Sequence, residues 1–342
     1  MTRVDLAFPS MGGEARVRLE SVLFDEAELT ALADGIHSQI EAVEAALSRF
    51  DPDSDLSRLN RDPRPAVPAS PLLRRAVAAA LWAADYSDGL VDATLLGELE
   101  LAGYTGHWEA AARADIDSAL ASAPPRRPAA PAVWRVRDRL RLDGEERVVR
   151  EPGVRLDPGG IAKGMAADLA AASLPAGVRY AISCGGDLAV GGERPWDVAV
   201  RSARNESEVH RLRVRSGGIA TSGIGARIWQ TEDGRYAHHV IDPATGRPAW
   251  TGLVAVTAVA GNALEAEVLA KAALLSGPLG ARRLLRRRGG VLQHDDGRVE
   301  IVPAPALVRL PGAKPGSLLP GGGPGAKPGS LLPSGGPNPV AA

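Results

Sequence analysis

Apolar residues recur along the first part of the chain at two different periods, and each period predicts a different element. Between residues 14 and 20, Ala15, Val17 and Leu19 alternate with polar neighbours, the period of a strand with one buried face. Leu29, Leu32, Ile36, Ile40, Val43, Leu47 and Phe50 then follow at steps of three and four, tracing one stripe of a long amphipathic helix. Asp51-Pro52-Asp53-Ser54 reads as the turn that ends it. A second helix is predicted from Pro71 to Tyr86, with the proline acceptable in its first turn and Ser87-Asp88-Gly89 closing it. Residues 105–131, rich in Ala and Pro, read as a variable connection with one short helix.

Further on the texture changes to short β segments at 133–136, 140–142, 179–183, 196–200, 209–214, 237–241 and 254–259. Helices interrupt them at about 161–173, 263–275 and 279–287. Strands outnumber what a regular βαβ rhythm would give, so the expectation is one α+β domain with a mixed sheet over residues 1–310. Residues 311–342 are Pro- and Gly-rich and repeat the unit GAKPGSLLP at 312–320 and 325–333. Such a segment buries too little apolar surface to offset its ordering entropy and is expected to be a disordered tail.

Composition removes several classes of function. Forty basic residues face 41 acidic ones, so the chain lacks the basic surplus that a general grip on nucleic acid or anionic lipid requires. The run Arg282-Arg283-Leu284-Leu285-Arg286-Arg287-Arg288 then reads as a solvated basic helix face. A single cysteine, Cys184, permits neither an internal disulfide nor a cysteine zinc site. No stretch approaches the ~18 apolar residues of a bilayer span, and residues 1–20 lack the apolar run of a signal peptide. A soluble, cytoplasmic protein without membrane insertion is expected. The basic residues are almost all arginine; of four lysines only Lys163 and Lys271 lie in the predicted domain, which marks both for inspection.

Three loops carry candidate chemistry. Asp157-Pro158-Gly159-Gly160-Ile161-Ala162-Lys163-Gly164 opens a helix with two glycines, so its backbone N–H groups are suited to an anion, and Lys163 sits where the helix dipole disfavours a cation. A tight turn with a solvated lysine explains the same residues equally well. Ser183-Cys184-Gly185-Gly186-Asp187-Leu188 suits a hairpin turn, with Cys184 a structural thiol. His238-His239-Val240-Ile241-Asp242-Pro243-Ala244-Thr245-Gly246-Arg247-Pro248 runs from a strand into a compact turn in which Asp242 can bond its own backbone. Alternation puts His239 and Ile241 on one face and His238 on the other.

The order of these blocks is more specific than any one of them. Met11-Gly12-Gly13, Pro52 to Asn60 (PDSDLSRLN), Gly89-Leu90-Val91-Asp92-Ala93-Thr94, Asp157 to Asp168, Gly185-Gly186-Asp187, Thr221-Ser222-Gly223 and His239 to Pro248 resemble, in sequence order, the motifs of the ApbE family of FAD:protein FMN transferases. The resemblance spans residues 4–302. It implies binding of FAD and transfer of its FMN half to a Thr or Ser hydroxyl of a target protein, with release of AMP. It also implies that Met11, Asp92, Ala93, Thr94, Asp157, Lys163, Ser222, His239 and Ile241 form the FAD site. His239 is the candidate general base and Lys163 the candidate phosphate ligand. The acceptor it implies is a D-G-x-x-[ST]-G-A-[ST]-like motif, which this chain lacks.

One block departs from the pattern. Where the family reads A-D-A-L-A-T-A, with Asp and Thr joining a carbonyl of the GGIA loop around magnesium, this chain reads Ala266-Glu267-Val268-Leu269-Ala270-Lys271-Ala272. Positions four apart share a helix face, so Lys271 is expected to point where Glu267 points, to pair with it and to reach the pyrophosphate. An ammonium offers no lone pair to Mg²⁺. Glu267 and the Gly160 carbonyl remain as ligand candidates, and metal binding is expected to be weak or absent. Two other readings stay open at this point: an FAD pyrophosphatase, in which water replaces the protein hydroxyl, and a non-catalytic FAD-binding protein.

Overall fold

The computed structural model describes residues 1–106 and 114–304. The repeated tail unit lies outside the described residues. In chain order, β1 (Thr2–Ser10) and β2 (Gly13–Ser21) precede α1 (Glu26–Leu47), α2 (Asp55–Arg61), β3 (Ala66–Pro68), α3 (Pro71–Tyr86), α4 (Leu96–Leu101), α5 (Ile116–Ser122) and α6 (Val136–Arg139). Then come β4 (Leu140–Asp143), β5 (Arg147–Arg150), α7 (Ala162–Ala172), β6 (Arg179–Cys184), β7 (Asp187–Gly191), β8 (Trp196–Arg201), β9 (Glu208–Val214) and β10 (Gly217–Gly223). Last are β11 (Ile228–Gln230), β12 (Tyr236–His238), β13 (Ile241–Asp242), β14 (Arg247–Pro248), β15 (Leu253–Ala260), α8 (Ala263–Leu275), α9 (Gly277–Leu285), β16 (Gly290–His294) and β17 (Val299–Val302).

Eight of the strands form one sheet in the order β1-β2-β6-β7-β10-β15-β16-β17. Every neighbouring pair in it is antiparallel. Helices α1, α7, α8 and α9 contact one another in succession and lie against this sheet. Smaller two- and three-stranded sheets surround it, so the α+β expectation holds. The helix α1 begins where Asp25 accepts from the Glu28 N–H and the Glu28 carboxylate returns to the Asp25 N–H, a capping box. Its stripe of Leu29, Ile36, Ile40, Val43 and Leu47 is buried, facing β1 and β2.

Several expected elements change. The segment 133–136 is not a strand: it bends into the short helix α6. The predicted strand 237–241 is interrupted after His238 and resumes at Ile241. Thr221-Ser222-Gly223, one of the motif blocks, belongs to the central strand β10. Its sequence, GGIATSG, contains little that favours a strand on its own. A side chain on Gly218 would collide with the backbone at Asn262, so the glycines let β10 pass beneath the start of α8.

Candidate active site

Helices α7 and α8 form the base of the site and hold each other by reciprocal carboxylate caps. Asp168 of α7 accepts from the backbone N–H groups of Ala263 (2.8 Å) and Leu264 (2.9 Å) at the start of α8. Glu267 of α8 accepts from the Gly164 N–H (2.9 Å) in the first turn of α7. Each carboxylate therefore sits on the positive end of the other helix. Gly164 permits the approach: a methyl group there would lie 2.6 Å from the Ala263 carbonyl oxygen. Lys163 on α7 and Lys271 on α8 are brought to one cavity as a result.

That cavity has a volume of about 410 Å³ and collects side chains from segments far apart in the chain. Met11, Asp92, Ala93, Asp157, Gly160, Lys163, Ser222, His239, Ile241 and Glu267, all predicted from sequence, line it together. Thr94 is the exception. It is buried behind the wall, where its N–H and hydroxyl each donate to Asp92 Oδ1 at 2.7 Å, so it orients Asp92. Ile241 belongs to an apolar cluster with Leu95, Leu99, Tyr104 and Trp229. The cavity is thus apolar and aromatic on one side and charged on the other.

The charged side is organised by two ion pairs. Lys163 Nζ lies 2.8 Å from Oδ2 of Asp187, which is 1% exposed. Asp187 follows the β6–β7 turn, whose Gly185 and Gly186 both take positive φ, 55° and 97°, as a tight hairpin requires. Asp157 accepts from the Gly159 N–H (2.7 Å) and pairs with Arg49 Nε (3.2 Å), while its own N–H donates to the Ala93 carbonyl. Burial weighs against the Lys163 ammonium, but Asp187 and Glu267 outweigh it and raise its pKa. Burial, reinforced by Asp187, raises the pKa of Glu267.

Two expectations for this side are corrected. Several N–H groups at the start of α7 are taken by the protein itself. Those of Ile161 and Ala162 donate to the Pro158 carbonyl, and that of Gly164 goes to Glu267. Positive charge reaches the cavity through the two lysine side chains instead. Lys271 also does not form a close ion pair with Glu267. Its Nζ donates to the Gly160 carbonyl at 2.6 Å, the same oxygen proposed as a metal ligand. A cation therefore already engages one of the two candidate ligands. Among the described residues no group of three or more His, Cys, Asp or Glu is arranged to hold a metal ion. The residues present do not fit a divalent ion in this position.

His239 lies at the break between β12 and β13, half-buried and facing the cavity. Its Nδ1 is 3.2 Å from the Arg227 carbonyl oxygen. A carbonyl only accepts, so Nδ1 carries the proton and Nε2 keeps its lone pair. Burial, with the nearby charge of Arg227, holds its pKa well below the ordinary histidine range, and the ring is neutral. His238 points the other way, is fully buried, and accepts from the Val240 N–H through Nδ1 (3.3 Å). Alternation had separated the two histidines correctly.

Sequence reasoning did not single out Arg227, Arg49 or Tyr104, and it assigned no role to Asp187. Asp187 carried a signal, since it completes the Gly-Gly-Asp block. Arg227 and Arg49 stand in no recognisable motif and become visible only through the contacts they make.

The chain is similar in sequence and fold to known proteins. The chain is 31% identical over 285 residues to the FAD:protein FMN transferase of Salmonella typhimurium (strain LT2), covering 80% of this chain and 79% of that one. It is 30% identical over 283 residues to a protein of the same name from Klebsiella pneumoniae (strain 342), again covering 80% of this chain and 79% of the relative. Among solved structures, the ApbE protein of Thermotoga maritima superposes with a TM-score of 0.71 at 26% identity, covering 88% of this chain and 97% of its own. The flavinyl transferase ApbE of Pseudomonas stutzeri gives 0.69 at 25% identity, covering 88% and 95%. The ApbE family model matches residues 11–293, which contain every residue placed around the cavity. On fold, site and sequence together, the chain belongs to the ApbE family.

Proposed function

We propose that this protein takes up FAD and transfers its FMN half to a Thr or Ser hydroxyl of another protein, releasing AMP. The activity is the one its relatives' name states. The observation that carries it is the neutral His239, with Nε2 unprotonated, in the same cavity as the half-buried Lys163 and Lys271. In this reading the flavin ring lies along the apolar wall of Leu95, Leu99, Tyr104 and Ile241. Met11, Asp92, Ala93, Asp157 and Ser222 complete the FAD site, and Lys163 faces the linked phosphates.

The reaction exchanges a phosphoanhydride bond for a phosphoester bond at the flavin-side phosphorus. The acceptor oxygen forms a bond to the flavin-side phosphorus while the bond from that phosphorus to the bridging oxygen breaks. The bridging oxygen leaves as part of AMP, and the hydroxyl proton passes to His239 Nε2. General-base assistance of this kind is typically worth ~10²–10⁴ in rate. Fixed positive charge stabilises the charge spread over the phosphoryl oxygens in the transition state without reorganisation during the step. Lys163 has that character, because Asp187 holds its ammonium in place.

A cytoplasmic acceptor carrying the D-G-x-x-[ST]-G-A-[ST]-like motif completes the proposal. Among the described residues no helix is long and apolar enough to cross a membrane. The test is to incubate the protein with FAD and a peptide bearing that motif, then quantify modified peptide, AMP and free FMN by chromatography. Equal amounts of modified peptide and AMP are expected. FMN released without peptide modification would overturn the transfer reading in favour of hydrolysis.

A further inference from the structure

We infer that Lys271 supplies, as a tethered ammonium, the positive charge that a divalent ion would otherwise bring to the pyrophosphate, so that this protein binds FAD without divalent metal. The inference rests on the FAD-site reading above and deepens it. Three observations carry it. The Lys271 Nζ donates to the Gly160 carbonyl oxygen at 2.6 Å, within the loop that would have provided a backbone ligand to the ion. The ammonium also lies directly against the Gly160 α-carbon: a methyl group built there would overlap Nζ and come within 3.3 Å of Cε. An octahedral ion with oxygen ligands at about 2.0–2.1 Å needs that volume and that lone pair. Finally, the Glu267 oxygen nearest α7 is engaged by the Gly164 N–H.

The charge count supports the same conclusion. Asp187 offsets part of the positive charge that Lys163 brings to the cavity. Of the acidic groups around Lys271, Glu267 acts on it most strongly, without a direct ion pair. One of its three N–H donors goes to Gly160, and two remain for ligand oxygens. Lys271 lines the cavity alongside His239 and Lys163, so those donors face the space assigned to the phosphates. A tethered cation cannot dissociate, and its occupancy does not depend on the metal concentration of the surroundings.

The test separates binding from transfer. Protein stripped with EDTA is titrated with FAD by flavin fluorescence, with and without added Mg²⁺, and separately with Mn²⁺ followed by electron paramagnetic resonance. The wild type is expected to bind FAD with less than a twofold change between EDTA and Mg²⁺, and to show no Mn²⁺ site tighter than the millimolar range. Lys271→Thr is expected to lose at least tenfold in FAD affinity in EDTA and to recover it with Mg²⁺, gaining one Mn²⁺ site. A wild-type affinity that falls tenfold or more on chelation, with one Mn²⁺ bound per chain, would overturn the inference. That comparison needs no variant, so it holds even if Lys271→Thr fails to fold. None of these readouts includes a transfer step, so a missing flavinylated product would count against the transferase reading alone.

Discussion

Replacing Gly164 by alanine tests whether the base of the site is assembled as described. Gly164 stands in the first turn of α7, where its N–H is held by Glu267. In an open helix, glycine to alanine stabilises by about 0.5–1 kcal/mol, because the backbone loses less entropy on folding. Here the added methyl would sit 2.6 Å from the Ala263 carbonyl oxygen and 2.8 Å from the Leu264 nitrogen. Ordinary C···O contacts are about 3.3–3.6 Å, so the two helices must separate by roughly 0.7–1 Å. Overpacking of this kind costs about 1–3 kcal/mol, which exceeds the propensity gain. A net loss of about 1–2 kcal/mol is expected, growing if the Gly164–Glu267 bond is broken as well. For a domain of this size that lowers Tm by roughly 2–6 °C. Because α7 and α8 carry Lys163 and Lys271, FAD affinity should fall about tenfold. Gly35→Ala provides the control: Gly35 is exposed in the middle of α1, with nothing within 4 Å of an added methyl. It should raise stability by about 0.5–1 kcal/mol and leave FAD binding unchanged. A Gly164→Ala protein that melts as high as Gly35→Ala, with full affinity for FAD, would refute the close helix contact.

Two further outcomes follow from the buried charges. Lys163→Met should destabilise by about 3–5 kcal/mol by stranding the Asp187 carboxylate; the double change Lys163→Met/Asp187→Asn should recover most of that stability in chemical denaturation but not the affinity for FAD. His238 is fully buried against Trp250, and burial lowers its pKa from 6.5 to about 3. Its stabilising contribution is complete above pH 6.5 and is lost as pH falls from there towards 3, at up to ~1.4 kcal/mol per pH unit. His238→Asn should flatten that part of the stability–pH curve, and an unchanged slope would mean that the ring protonates freely in the folded protein.

Much of this fold was legible wherever a local signal agreed with the tertiary outcome. The helix expected from about Pro71 to Tyr86 spans Pro71–Tyr86, where Pro71 begins it and Ser70 caps it. Helix α8 was equally clear. The strand β1 is absent from the sequence reading although Val4, Leu6 and Phe8 alternate; it carries Pro9 and lies at the sheet edge, where a missing N–H costs little. Helix α2 has only seven residues and two buried leucines, too short for its period to show. Strand β10 was hidden because its glycines serve the passage beneath α8, a tertiary demand without a local signature.

The same division runs through the site. Motif residues on glycine turns were found because turn chemistry and function mark the same positions. The partner of Lys271 was not. Helical spacing correctly put it on the face of Glu267, but only the packing of α8 on the 157–161 loop makes the Gly160 carbonyl its nearest acceptor. Arg227 fixes the tautomer of His239 through its backbone carbonyl, and a backbone role leaves no trace in residue identity.

The most direct trial of the account is single-turnover flavinylation followed by intact-mass spectrometry, comparing wild type with His239→Gln at saturating FAD. The wild type should add one FMN to the acceptor and release one AMP. His239→Gln should bind FAD within about threefold of wild type, yet transfer ~10²–10⁴ times more slowly. Transfer by His239→Gln at the wild-type rate would contradict the claim that this histidine takes the acceptor's proton.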